Sequence, residues 1–469
     1  MRPGRIHRIA MFVLPPALLA ACAVTRTEPP PPVAAPAQFM ESGLWQRATG
    51  AAAAVPDAWW QLFADPVLDD LQRQLVIGNE NLRFAVAQVA AARAQLAASR
   101  ARLAPTLGGS VSATRSGGTS SSSEVQRGAS NNIALSASAS WEIDLWGRLA
   151  QATSAAQASY QASADDLAAA RLSAQATLAQ TYLALRTAEA QQALIERSVA
   201  AFQRSLELTQ ARYKSGVAAR SDVLQAETQL KSAQAQGIEA ATQRAQAEHA
   251  IAVLLGKPPS ALAIARTDAL PAAPLVPELL PATLLERRPD IAAAERRVAA
   301  AYAQIGVADT AFFPALTLSA NAGYRATSFA DLFSAPSLFW SVGPALAQTL
   351  VDGGERRAAS EQARADADQA TSSYRQTVLV ALQEVEDNLV LADRLRAEAA
   401  LQQEALDSAR RNLEITLEQY RAGTVSFLDV AVAQTAALSS ERSLLELRNR
   451  ELAAINQLLK NIAGRWQTG

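Results

Sequence analysis

Between Asn131 and Asp144 the chain alternates. Ile133, Leu135, Ala137, Ala139, Trp141 and Ile143 fall at odd positions, with Ser136, Ser138, Ser140 and Glu142 between them. A period of two marks a strand with one apolar and one polar face. Thr106 to Arg115, Ala315 to Arg325 and Phe339 to Leu350 are further strand stretches. No charged residue lies from Asn131 to Trp141 or from Thr317 to Tyr324. The four stretches pair as hairpins over 106–144 and 315–350, the first linked by the polar run Ser116 to Ser130. Strands of this length suit a tilted crossing of a bilayer. An open sheet edge leaves backbone groups unpaired in lipid, and closed membrane barrels start at about eight strands. Four strands from one chain are too few, so several chains must share a barrel. The other reading of each hairpin is a short water-exposed ribbon.

The rest of the chain reads as long Ala-rich helix, and it is duplicated. Ala211 to Leu230 ("ARYKSGVAARSDVLQAETQL") is similar to Glu418 to Leu438 ("EQYRAGTVSFLDVAVAQTAAL"). Tyr213 aligns with Tyr420, Gly216 with Gly423 and Asp222 with Asp429, an offset of 207. Asn81 to Leu107 matches Asp290 to Leu316 with Pro105 opposite Pro314, an offset of 209. Two matches at nearly one offset define two copies of one unit. The sequence predicts repeats over 56–262 and 263–469. In each, a helix runs up to a Pro (Asn79 to Ala104, Asp290 to Phe313), followed by a hairpin, a very long helix, a Gly turn and a return helix. The long helices run from about Gly147 to Lys214 and Glu355 to Arg421, their partners from Ser221 to Leu255 and Phe427 to Ile462. At about 1.5 Å per residue the long ones measure roughly 100 Å. Val378, Leu382, Val385, Leu389 and Ala392 step by four, three, four, three, the spacing of a coiled-coil seam. Gly216 and Gly423 stand where a helix needs a left-handed terminator.

The chain starts with a leader. Arg2, Arg5 and Arg8 precede an apolar run from Ile9 to Ala21, the pattern of a secretory signal peptide over 1–21. The run ends in "LAAC", Leu19 to Cys22, which resembles a bacterial lipobox in which Cys22 carries the lipid. The alternative is an ordinary signal peptide with a chance Cys. Ala23 after the Cys favours the outer membrane under the sorting rule this resembles. Residues 22–55, with the Pro-rich Glu28 to Ala37, then form an extended tether.

Composition closes other routes. Net charge is −1, which suggests no nucleic-acid partner. Two His and one Cys give little material for a zinc or His-based site. No nucleophile–base–acid set, phosphate loop or metal cluster is apparent, so an enzyme, a metal and a cofactor are not expected.

The mature chain resembles the TolC/OprM/NodT outer-membrane efflux proteins over nearly its whole length. "WWQLFADPVLDDL", "ASWEIDLWGR", "RRPDIAAAERRVAAAYAQIGVADTAFFPALTL", "LVDGGERRAA" and "ALQEVEDNL" carry the match in the right order, and the lipobox with "LWGR" places it in the NodT-like lipoprotein branch. The resemblance implies a mixed α and β membrane protein. It would be a homotrimer whose 12-stranded barrel continues into a periplasmic helical tunnel, with a girdle that includes Gly256 to Leu280. It implies the passive exit duct of a tripartite efflux system for small toxic compounds or drugs. A periplasmic adaptor and an RND-type inner-membrane transporter would be its partners, and acyl chains and barrel would hold it in outer-membrane lipid. Gly216 and Gly423 would be the tip turns, Leu428 and Asp429 the constriction, and Asp222 with Tyr420 part of a tip latch. The family has a second acid where Val432 stands, and some relatives an Arg where Val425 stands, so one Asp ring and a different latch are expected here. Asp222 and Asp429 equally suit helix-capping roles. Trp141, Trp146 and Trp340 suit either an aromatic belt or packing where strands meet helices. The alternative functions are the duct of a type I protein-secretion system and a lipid-anchored periplasmic coiled coil without a pore.

Overall fold

A computed structural model describes residues 36–41, 58–117, 129–276 and 287–463. Cys22, the leader and most of the tether lie outside the described residues. The elements in order are α1 (Pro66–Gly78), α2 (Glu80–Ala101), β1 (Thr106–Ser116), β2 (Ser130–Ile143), α3 (Arg148–Lys214) and α4 (Arg220–Leu254). Then come α5 (Pro289–Thr310), β3 (Ala315–Ala326), β4 (Leu338–Ala347), α6 (Glu355–Ala422) and α7 (Phe427–Ile462). From α2 to α4 and from α5 to α7 the order of elements is the same. Helix α1 was not expected. Asp65 starts it by accepting from the N–H groups of Val67 and Leu68, with Pro66 at the first helical position.

The chain forms two compact units. The first takes Val89–Ala162 and Ala294–Tyr374 among the described residues. Its centre is one antiparallel sheet in the order β1-β2-β3-β4. Helices α2 and α5 stop at Ala101 and Thr310, short of the expected Ala104 and Phe313, because a proline keeps the residues before it out of helix. Each strand then begins directly after Pro105 or Pro314. Strand β4 ends at Ala347 rather than Leu350. Ala347 pairs with Ala315, and Pro314 has no N–H to carry the ladder further. Gly323 is required in β3, since a Cβ there would lie 2.2 Å from the Leu135 carbonyl oxygen.

The second unit takes, among the described residues, those of Pro32–Gln88, Ser163–Ala293 and Arg375–Gly469. Its main core gathers Trp59, Leu68 and Leu75 with Leu178, Tyr182 and Leu185 of α3, Val385 and Leu389 of α6, and Ile455, Leu458 and Leu459 of α7. The four-three stripe on α6 is inward, with Val378, Val385, Leu389 and Ala392 buried and Leu382 half-buried. The irregular segment after α4 is clipped down by buried charge. Glu189 accepts from Arg186 at 2.7 Å and Arg244 at 3.0 Å. Arg186 donates to the Ala265 carbonyl and Arg244 to that of Ile264. Both cations and the acid therefore have partners, which makes their burial tolerable.

Candidate functional site: the two sheet faces and the paired helix turns

The register sorts the sheet. Leu135 stands opposite Val111 on one side and Tyr324 on the other, and Ala139 opposite Leu107 and Ala320. Strand β4 continues the row, with Trp340 opposite Ala322, Val342 opposite Ala320 and Leu346 opposite Leu316. Partners across a ladder share a face, so one face is apolar on all four strands up to its outer end, where Arg115 stands opposite Asn131. The other carries Ser110 opposite Ser136, Ser138 opposite Asn321, and Asn321 opposite Ser341. Its charges lie towards the strand ends: Glu142, which takes both oxygens to Arg148, and Arg325, stacked 5.1 Å over the Phe339 ring. Leu107, Trp340 and Val342 are 85%, 73% and 62% exposed. An apolar face of that extent needs a solvent other than water. On β3 it runs from Leu316 to Ala326; the ten steps between them at about 3.4 Å, tilted about 40°, cover about 26 Å, the height of a bilayer-facing band.

The strand ends meet the helices through indoles. Trp141 Nε1 donates to the Leu103 carbonyl at 2.9 Å, and Trp146 Nε1 to that of Pro314 at 2.7 Å. Trp146 also stacks on Phe313 at 5.0 Å. Among the described residues Trp340 makes no such link, and it faces outward on the apolar side. An acid at the equivalent position sits at the helix start of each repeat. Asp144 accepts from the N–H groups of Leu149 and Ala150, and Asp352 from those of Gly354 and Arg356. The Arg356 guanidinium and these N–H groups hold the Asp352 carboxyl down to about 2.

In the second unit the helix turns form a matched pair. Gly216 and Gly423 have φ of +77° and +80°. Val217 N–H closes on the Arg212 carbonyl at 2.9 Å and Thr424 N–H on that of Gln419 at 3.0 Å, the same six-residue closure in each copy. The return helices then differ. In α7 the Ser426 N–H and hydroxyl both donate to Asp429 Oδ2, at 3.0 and 2.7 Å. In α4 the equivalent position is Ala219, which offers only its N–H to Asp222, at 3.3 Å. The Ser426 hydroxyl, with its N–H, holds the Asp429 carboxyl below the usual range. Asp429 and Leu428 are exposed, as is Val432 one turn on.

Tyr420 and Asp222 are not hydrogen-bonded to each other within the chain. Asp222 is turned to the start of its own helix. Tyr420 is buried, donates to Thr209 Oγ1 at 3.2 Å and stands edge-on to Phe427 at 5.8 Å. Besides the Tyr420–Thr209 bond, the two helix pairs are joined here by Arg212, which the sequence reading missed. Its guanidinium lies 4.6 Å over the Tyr420 ring and donates to the Tyr420 carbonyl at 2.6 Å and that of Arg421 at 3.4 Å. A cation thus caps the end of α6 from the last turn of α3. A hint was available: Arg212 aligns with Gln419 at the repeat offset, so only one copy carries it.

A sheet with one lipid-like and one water-like face, joined to helices of 67 and 68 residues, is the subunit of a membrane channel. The family model for outer membrane efflux protein matches residues 71–257 and again 280–464. The chain is 31% identical over 459 residues to outer membrane protein OprJ of Pseudomonas aeruginosa, covering 96% of this chain and 94% of that one. It is 30% identical over 462 residues to the pyoverdine export outer membrane protein OpmQ of the same organism, covering 96% and 95%. Among solved structures, the outer-membrane channel OprN superposes with a TM-score of 0.88 at 30% identity, covering 94% of this chain and 99% of that one. The chain belongs to the outer membrane efflux protein family, and its function is that of an outer-membrane exit duct of an efflux system.

Proposed function

We propose that three copies of the chain close one 12-stranded barrel that passively conducts small toxic compounds or drugs out of the periplasm. One observation carries this: the sheet has a lipid-like face and two unpaired edges, β1 and β4. Edges must pair within lipid. Two copies would give eight strands, whose interior side chains fill. Twelve strands about 4.8 Å apart, tilted about 40°, enclose a ring about 24 Å across. Between the ends the inward residues are mostly Ser, Asn, Gly, Thr and Ala, with Arg325 and Phe339 towards the outer end and Glu142 at the other, which leaves width open and offers hydrogen bonds to a passing solute.

The partners would be a periplasmic adaptor and an RND-type inner-membrane transporter that supplies the drive. Cys22 would carry lipid at the outer membrane. The gate would sit at the helix turns. Three copies of exposed Asp429 beside three of Leu428 would make a carboxylate ring over an apolar ring, a filter that favours cations. Ser426 and the helix start hold each carboxylate ionised and aimed. Within each chain, Arg212 on Tyr420 would latch the two helix pairs.

Single-channel recording in planar bilayers tests this reading. Wild type is expected to give small, cation-selective steps, and Asp429→Ala to raise leak conductance and weaken block by divalent cations. Unchanged conductance and block in the variant would remove Asp429 from the gate.

A further inference from the structure

The connection from β3 to β4, Thr327 to Ser337, folds to one side. Leu332 is buried against Ile133 and Ala326, which are register partners on the apolar face. Phe333 stands edge-on to Tyr324, also of that face, with ring centres 5.5 Å apart. The segment therefore leans onto the lipid-like side of the sheet and not over the polar side. One acid organises it. The Asp331 carboxylate accepts from the Ser328 hydroxyl at 2.7 Å, and its carbonyl from the Ser334 and Ser337 hydroxyls, each at 2.7 Å. Asp331 is the single charge in the segment. With the polar groups tied inward, Phe329 and Phe333 are left 74% and 69% exposed.

We propose that this loop is a membrane anchor: Phe329 and Phe333 insert at the boundary between lipid headgroups and acyl chains at the outer end of the sheet. The inference rests on the barrel reading. The occupant follows from continuity, since the loop extends the apolar face through Tyr324, Leu332 and Phe333. Phe rings at that depth move their apolar surface out of water and into the headgroup/acyl boundary, as the Phe, Trp and Leu of interfacial helices do. A loop seated on that side cannot also cover the pore mouth. Its hydroxyls and lone acid sit where headgroups supply partners.

The test uses full-length protein in phosphatidylcholine vesicles with plain or brominated acyl chains. Trp340, exposed on the apolar face, reports the barrel: wild-type emission should fall in brominated lipid, and Trp340→Phe should lose part of that fall. Phe329→Trp and, independently, Phe333→Trp should each add emission that brominated chains quench and that aqueous acrylamide does not reach. Quenching of Trp340 with added emission open to acrylamide and untouched by bromine would overturn the anchor and leave the barrel reading standing. No quenching at any of the three positions would overturn both. In planar bilayers, Phe329→Ala with Phe333→Ala should leave conductance unchanged. A rise in conductance would make the loop a lid and refute the proposal.

Discussion

Ser341 and Val342 are neighbours in β4 with opposite fates. Ser341 pairs with Asn321 on the polar face, Val342 with Ala320 on the apolar one. Ala320 is four residues from Leu316 and six from Ala326, so with a tilt of about 40° it lies about 10 Å from one end of the apolar band and about 16 Å from the other. That is near the bilayer middle. An Arg on the lipid face at that depth costs about 2–4 kcal/mol in each copy, hence about 6–12 kcal/mol in an assembly of three. Val342→Arg should therefore move the denaturant midpoint for unfolding from vesicles sharply downward. Ser341→Arg, one residue away, adds a charge to a water-filled lumen. It should leave the midpoint within about 1 kcal/mol of wild type and shift ion selectivity towards anions. Tryptophan emission against guanidinium gives the first quantity and reversal potential the second. Equal midpoints for the two variants, or a larger loss for Ser341→Arg, would refute the assignment of the faces.

The helix turns give three more expectations. Arg212→Ala removes both a ring contact and the cap on two carbonyls, so amide exchange over Gln419 to Thr424 should quicken by an amount equal to about 1–2 kcal/mol; Arg212→Lys should recover only part. Ser426→Ala should loosen the first turn of α7 by about 1 kcal/mol, whereas Ala219→Ser should tighten α4 by up to a similar amount, both read from exchange of the first-turn amides. Asp429 has a folded pKa depressed by Ser426, so its contribution is present above the ordinary carboxylate pKa and lost as pH falls through the depressed value. Cation preference should accordingly persist in wild type to lower pH than in Ser426→Ala, as measured by reversal potential across a pH series.

The strands and rods were legible because each rests on a short period in sequence. Alternation at Ile133 to Ile143 names the faces of β2, and the prolines at 105 and 314 mark where helix gives way to strand. What alternation cannot state is register. That Val342 shares a face with Leu135 follows only once β3 is laid between their strands. The turn contacts were harder for a similar reason. Arg212 meets the Tyr420 carbonyl across 208 residues, and in sequence it is one more basic residue at a helix end. Arg186 and Glu189, spaced as an ordinary surface pair, are buried at 3% and 0% side-chain exposure; only the chain laid over them reveals it. The expected Asp222–Tyr420 link came from the resemblance, and within the chain each residue has other partners.

The claim on which the rest depends is that the sheet is one part of a shared, closed ring. Electron cryo-microscopy of the full-length protein in lipid nanodiscs tests it directly. The account predicts twelve strands, β4 of one copy hydrogen-bonded to β1 of the next, and the row through Ala139, Ala320 and Val342 facing lipid. Free β1 and β4 edges, a different strand count, or that row facing the lumen would contradict it.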